Sequence, residues 1–362
     1  MVENESPEGK REEFTKFKKM ELPRNVVIGK DSLEKVGETC DKLELKKNAI
    51  IVCDPITKKV AGERVGDILS DHDYKVDIEE ITEADQKTVD RISETITGNT
   101  GFLLGVGGGK SIDVAKYSSH LAEIPFLSIP TASSHDGIAS GRASIERNGN
   151  KISVGAQSPL ALIADTGIIS DGPNRLMSAG CGDIISNATA VKDWRLARRL
   201  RNEDFSHYAA NLSLMTSDIL INNVDNIRPG LQESAWQVIK ALVSSSVAMS
   251  IAGSSRPASG SEHKFSHALD EIAEEPALHG EQCGVGTIIM MYLHGDDWRK
   301  IKNALQAVDA PTTARGLELE EDEVIQALMH APEIRPERYT ILGNRKMNRD
   351  AAEEAARETG VI

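Results

Sequence analysis

From residue 25 to residue 164, short apolar runs alternate with amphipathic stretches, and beyond Asp165 the apolar runs all but stop. This change of rhythm restricts the fold more than any single motif. Asn25–Gly29 (NVVIG), Asn48–Asp54 (NAIIVCD), Tyr74–Ile81, Gly101–Val106 (GFLLGV), Pro125–Pro130 (PFLSIP) and Leu160–Ala164 read as strands. Between them, Asp31 is placed to cap a helix through about Cys40, and Thr57–Leu69 reads as helical. Ala84–Thr97 puts Val89, Ile92 and Ile96 on one helical face, and a further helix separates the strands that begin at 101 and 125. Such alternation builds βαβ units and a largely parallel sheet. Asn148-Gly149-Asn150 predicts a hairpin turn within Ile145–Val154, because Asn-Gly tolerates positive φ.

Ser170-Asp171-Gly172-Pro173 is a breaker, and helical periodicity then dominates around Gly182–Trp194, Tyr208–Asn223, Gln232–Ala252 and Glu320–His330. The expected organisation is a charged lead-in over 1–20, an α/β Rossmann-like domain over 21–170 and an all-helical domain over 171–362. A length of 362 residues suits two domains of ~100–200 residues each.

Composition narrows the function. With 42 Lys+Arg against 56 Asp+Glu the net charge is −14, which argues against a general binder of nucleic acid or anionic membrane. The one basic run, Arg195–Arg201, reads as a solvated helix face or a subunit contact. No stretch approaches the ~20 apolar residues of a bilayer span, and MVENESPEGKREEF has no secretory apolar segment. Cys40, Cys53, Cys181 and Cys283 lack CxxC spacing, so the expected compartment is the reducing cytoplasm.

Gly105–Asp113 (GVGGGKSID) follows a strand and opens a helix. Consecutive glycines let backbone amides approach an anion, and the helix N-terminus adds its dipole. Asp54, at the end of an earlier strand, is either a ribose ligand or a plain turn residue. Thr131–Ser140 (TASSHDGIAS) is either a loop against a ligand or a set of turns and caps. In the helical half, Gly180-Cys181-Gly182-Asp183 reads as a helix start. His263 and His267 share a helix face at i, i+4, and His279 begins the next segment. One carboxylate with two imidazoles is a ligand set for catalytic zinc, although histidines can equally be ordinary surface or core residues.

GVGGGKSIDVAK, the TASS–HDG loop, GCGD, GSEHKFSHALD and LHGEQCG stand in the order and spacing of the iron-containing alcohol dehydrogenase superfamily. Within it the chain most resembles the sn-glycerol-1-phosphate dehydrogenase branch, from about Leu22 to beyond residue 340. That resemblance implies NAD(P)H-dependent, zinc-dependent reduction of dihydroxyacetone phosphate in a cleft between the domains, for the backbone of archaeal ether lipids. It places NAD(H) or NADP(H) on Gly107, Gly108, Gly109, Lys110, Ser111, Ile112, Asp113, Thr131, Ala132, Ser133, Ser134 and Ser140. It places one zinc ion per subunit on Asp183, His263 and His279, and substrate and catalytic contacts on Asp136, Asp183 and His267. It also implies a homo-oligomer.

Iron-dependent relatives carry a further His four residues after the Asp; Asn187 stands there, which favours zinc. Dehydroquinate synthase has Glu in place of Asp183, which disfavours its chemistry here. Ser133–Gly137 (SSHDG) is the string that favours a phosphorylated substrate. The alternatives are a zinc glycerol dehydrogenase acting on unphosphorylated polyols, and a non-catalytic binding protein of the same fold.

Overall fold

The structure, a computed structural model, describes residues 19–362, so the expected lead-in over 1–20 falls almost wholly outside the described residues. The first half runs β1 (Asn25–Gly29), α1 (Val36–Lys42), β2 (Asn48–Cys53), α2 (Pro55–Thr57), α3 (Glu63–Asp71), β3 (Lys75–Glu80) and α4 (Gln86–Thr95). It continues with β4 (Phe102–Gly107), α5 (Gly109–Leu121), β5 (Phe126–Pro130), β6 (Arg142–Arg147), β7 (Asn150–Gly155) and β8 (Ala161–Asp165). All six strands outside the β6–β7 hairpin pair in parallel, in the order β1-β8-β5-β4-β2-β3.

Every residue of β4, β5 and β8 is buried, as a sheet covered on both faces requires. Successive residues of β2 enter opposite layers: Ile50 and Val52 join Val89, Ile92 and Ile112, while Ile51 and Cys53 join Val36, Val65 and Leu69. From β2 the chain steps outward to β3 and returns on the other side as β4. That reversal opens a crevice at the carboxyl ends of β2 and β4, where ligands of open α/β sheets bind.

Expectation and structure differ at Asp31. Its backbone is left-handed (φ 55°), its side chain makes no cap, and α1 begins only after a 3-10 turn at Ser32–Lys35. A side-chain cap needs extended backbone at the capping residue. The hairpin is as expected, with φ of 53° at Asn148 and 79° at Gly149.

After α6 (Thr166–Asp171) come α7 (Asn174–Arg201), α8 (His207–Ile221), α9 (Gln232–Ala252), α10 (Ser261–Ile272) and α11 (His279–Leu293). α12 (Trp298–Ala307), α13 (Glu321–His330) and α14 (Arg349–Glu358) complete the chain, and no strand follows Asp165 among the described residues. α9 corrects one expectation: an 18-residue stretch of its 21 residues reaches a mean hydropathy of 1.3, enough by length and composition alone to cross a membrane. It packs on α6, α7 and α8.

A second correction concerns the GCGD motif. Asp183 does not start a helix; it lies well inside the 28-residue α7. The flanking glycines serve close approach instead. A Cβ on Gly180 would stand 1.7 Å from the Ser133 carbonyl oxygen, and one on Gly182 2.3 Å from that of Gly280. Gly180 thus seats the 131–140 loop on α7, and Gly182 seats the start of α11 beside Asp183.

Candidate active site

The crevice opens into a cleft of about 380 Å³, lined by Gly109, Lys110, Ser134 and His135 toward the sheet and by Asp136, His263, His267 and His279 toward the helices. On the sheet side the glycine turn joins β4 to α5. Gly107 takes φ +148°, a region that disfavours side chains, and a Cβ there would meet Thr57 Oγ1 at 2.8 Å. Gly108 is the residue before α5, and a Cβ on it would find nothing within 4 Å, so the helix N-terminus has open space beside it. This is a cradle that suits a pyrophosphate. The hydroxyls of Ser111 and Ser133, both buried, have no partner.

Other residues assigned to the cofactor do local work. Asp54 accepts from the Ile56 and Thr57 amides (2.8 and 2.9 Å) and from Thr57 Oγ1 (2.9 Å), closing a capping box on α2. Ile112 is buried in the apolar layer, and its amide donates to the Gly108 carbonyl. Asp113 accepts from Lys116 Nζ (3.0 Å) and from the Ser144 amide (2.9 Å). Lys116, fully buried, also donates to the carbonyls of Gly137 and Arg142, which ties α5 to the second loop and the hairpin. Lys110 Nζ bonds Thr82 and Glu83 at the rim. The Thr131 amide donates to the Gly107 carbonyl, joining the two loops, and Ala132 and Ser140 are buried.

On the helical side, Asp183 Oδ1 lies 3.7 Å from His263 Nε2 and 3.8 Å from His279 Nε2. The neighbours of each imidazole fix its tautomer. Ser266 Oγ donates to Gln282 Oε1 (2.7 Å), so it accepts from His279 Nδ1 at 3.1 Å. His263 Nδ1 donates to Glu262 Oε1 at 2.9 Å. Both Nε2 lone pairs therefore face Asp183. Burial holds both imidazoles well below their ordinary range and pushes the Asp183 carboxyl well above its own.

A cation fits this arrangement. Zinc bonds of about 2.0–2.2 Å to nitrogen and oxygen separate tetrahedral donors by about 3.4 Å. The neutral imidazoles are ready donors, and a cation would stabilise the buried carboxylate. Cys283, on α11, brings a fourth donor atom to the cluster: its sulfur lies 3.6 Å from His279 Nε2, and all four donor atoms fall within 4.8 Å of one another. Asn187 turns away, donating to Ser245 Oγ at 3.2 Å.

The Asp136 amide donates to Asp183 Oδ2 (2.8 Å), while its carboxylate accepts from Ser245 Oγ (2.8 Å). Burial raises the Asp136 carboxyl to about 6. His267 lies beside His279 with ring centroids 5.9 Å apart, and its Nε2 lies 3.3 Å from an Arg335 nitrogen. Thus Asp136, Asp183, His263, His267 and His279 come together at one end of the cleft, and the glycine turn frames the other.

Sequence reasoning missed three residues. Cys283 carries the i, i+4 signal from His279 in HGEQC. Glu262 adjoins His263 in sequence, but helix geometry alone does not turn it onto Nδ1. Arg335 lies in an irregular segment and has no local signal. Glu262 is wholly buried and also accepts from Thr189 Oγ1 (2.7 Å) and the Gly260 amide. It orients His263, so Glu262→Ala is expected to weaken zinc affinity about 10–100-fold by chelator competition, and Glu262→Gln less. Unchanged zinc affinity in both variants would contradict this.

The family model described as iron-containing alcohol dehydrogenase matches residues 27–173. A glycerol-1-phosphate dehydrogenase [NAD(P)+] of Methanococcoides burtonii is 57% identical over 344 residues, covering 95% of this chain and 96% of the relative. One from Thermococcus sibiricus is 55% identical, covering 95% and 98%. The crystal structure of glycerol dehydrogenase from Schizosaccharomyces pombe superimposes with a TM-score of 0.78 at 19% identity, covering 95% of this chain and 91% of that one, a likeness of fold.

Proposed function

The chain belongs to the glycerol-1-phosphate dehydrogenase family, and from that premise we propose that it reduces dihydroxyacetone phosphate to sn-glycerol 1-phosphate with NADH or NADPH. The product would serve as the backbone of archaeal ether phospholipids. One observation carries the reading: two imidazole nitrogens of fixed tautomer lie within 3.8 Å of Asp183 Oδ1, in a cleft whose other end is a glycine turn with open space beside Gly108.

Bound in this cleft, zinc supplies Lewis acidity and reduced nicotinamide supplies the hydride. Asp183, His263 and His279 hold the ion. The Asp136 amide binds Oδ2 of Asp183, which keeps Oδ1 turned toward the imidazoles. The carboxylate of Asp136 and the ring of His267 orient the substrate hydroxyls beside them. The amides of Gly107, Gly108 and Gly109 receive the pyrophosphate at the start of α5, with Lys110 and Ser111 beside it. Thr131 to Ser134, with Ser140, form the opposite wall. Residues 21–170 then make up the nucleotide half and 171–362 the metal half.

Purified zinc-loaded protein should consume NADH or NADPH with dihydroxyacetone phosphate far faster than with dihydroxyacetone. Chiral analysis should identify sn-glycerol 1-phosphate. Preference for the unphosphorylated ketone would overturn the reading in favour of a polyol dehydrogenase, and no turnover with either would favour a binding protein. The same reading puts the enzyme in the reducing cytoplasm, supported by four unpaired, buried cysteines. It also includes a homo-oligomer, supported by exposed Tyr208, Met215 and Ile219 on α8 and Trp236 on α9.

A further inference from the structure

Three guanidinium groups near the cleft have no carboxylate partner. Among the described residues, Arg335, Arg338 and Arg142 form no ion pair within 4.0 Å, although the chain carries 56 acidic residues. Arg338 donates to the Ser259 carbonyl (2.7 Å) and Ser255 Oγ (2.8 Å), which pins its segment to the loop before α10. Arg142, on the hairpin, donates to the Ser153 carbonyl (2.8 Å) and hydroxyl (3.1 Å). Both are thus held by neutral groups. Arg335 is held by still less: among the described residues its one polar contact is with His267 Nε2 at 3.3 Å, which leaves most of the five donors of its fork unused there.

Backbone geometry points the same way. Arg335 has φ +48°, a left-handed conformation that disfavours a side chain, and it precedes Pro336, which disfavours it further. Strain of this kind persists where the surrounding structure imposes it and gathers at ligand sites. Half-buried Arg335 and exposed Arg142 both line the cleft, and Arg142 is among the charges that press on Arg335. Two unneutralised cations facing one cavity call for an anion.

Resting on the reading of a phosphorylated substrate, we propose that Arg335, with Arg142, binds the substrate's phosphate and so sets the preference for a phosphomonoester over a free polyol. The spacing agrees. His267 follows His263 by one helical turn, about 5–6 Å between side-chain bases, and Arg335 touches His267 Nε2, so it borders the same end of the cleft as the metal ligands. In dihydroxyacetone phosphate, one methylene and the ester oxygen separate the carbonyl carbon from phosphorus. A guanidinium fork matches two phosphate oxygens, which a lysine ammonium does not.

The test compares Arg335→Met and Arg335→Lys with the parent zinc-loaded enzyme. Two lost charge-assisted hydrogen bonds predict a fall of about 100-fold in the ratio of kcat/KM for dihydroxyacetone phosphate to that for dihydroxyacetone in the Met variant. The Lys variant should fall between. Zinc content and NADPH affinity should stay at parent values. An unchanged ratio, or an equal loss on both ketones, would overturn the proposal, the latter by exposing a structural role.

Binding of inorganic phosphate, followed by calorimetry, separates this inference from the function it rests on. If the parent enzyme does not reduce dihydroxyacetone phosphate, the functional reading fails, yet weaker phosphate binding in Arg335→Met still supports an anion site. Phosphate affinity equal in parent and variant overturns it.

Discussion

His279→Ala protein is expected to lose its zinc and to show turnover at least about 10³-fold below the parent, while NADH binding by fluorescence is retained. The magnitude follows from removing several kcal/mol of charge stabilisation at the developing alkoxide, at 1.36 kcal/mol per tenfold. The selectivity follows from geometry. His279 begins α11 on the helical side of the cleft, whereas the glycine turn hangs on β4 and α5. Nothing in the turn depends on the imidazole. Because His279 Nδ1 is committed to Ser266, only Nε2 is left for the ion, and Ala offers no substitute donor. Full turnover in zinc-free His279→Ala protein would refute the metal assignment.

Gly108→Val addresses the opposite end of the cleft. Its backbone, at φ −82° and ψ −167°, is extended and open to valine. A Cβ there meets nothing within 4 Å, so the fold should tolerate the change. The methyls would instead occupy the open space at the start of α5, which the proposed function gives to the pyrophosphate. Loss of about two charge-assisted hydrogen bonds predicts a rise of about 100-fold in KM for the cofactor, with zinc content unaltered. An unchanged cofactor KM would make the turn structural only. Gly109 is a poorer choice for this experiment, since a Cβ there would meet His135 Nε2 at 2.4 Å and confound fold with binding.

Much of the architecture was legible because its signals are local. Runs such as AIIVC (49–53) and FLLGVG (102–107) carry no polar side chain, which suits a strand covered on both faces. The hairpin was legible from Asn148-Gly149, and α9 (Gln232–Ala252) from its periodicity. Legibility failed where a local pattern has two physical uses. Glycines around Asp183 resemble a helix start, but in α7 they admit the backbones of Ser133 and Gly280. Asp31 resembles a cap until its left-handed backbone is seen.

The site divides in the same way. Residue type and spacing marked Asp183, His263, His267, His279 and the glycine turn as candidates, and the family resemblance singled out Asp183, His263 and His279 for the metal. Which groups surround them could not. Glu262 on His263, Ser266 on His279, Cys283 beside both and Arg335 on His267 are contacts that depend on how α10, α11 and the segment after α13 pack. Arg335 lies 68 residues from its one polar partner, in a stretch with no periodicity. By itself the sequence determined the succession of strands and helices and the chemical types at the two ends of the cleft, because hydrophobic period and ligand identity are properties of neighbouring residues. The tertiary structure alone decided tautomer, charge balance and the cleft-lining guanidinium of Arg335, because burial and pairing depend on segments that meet only in the folded chain.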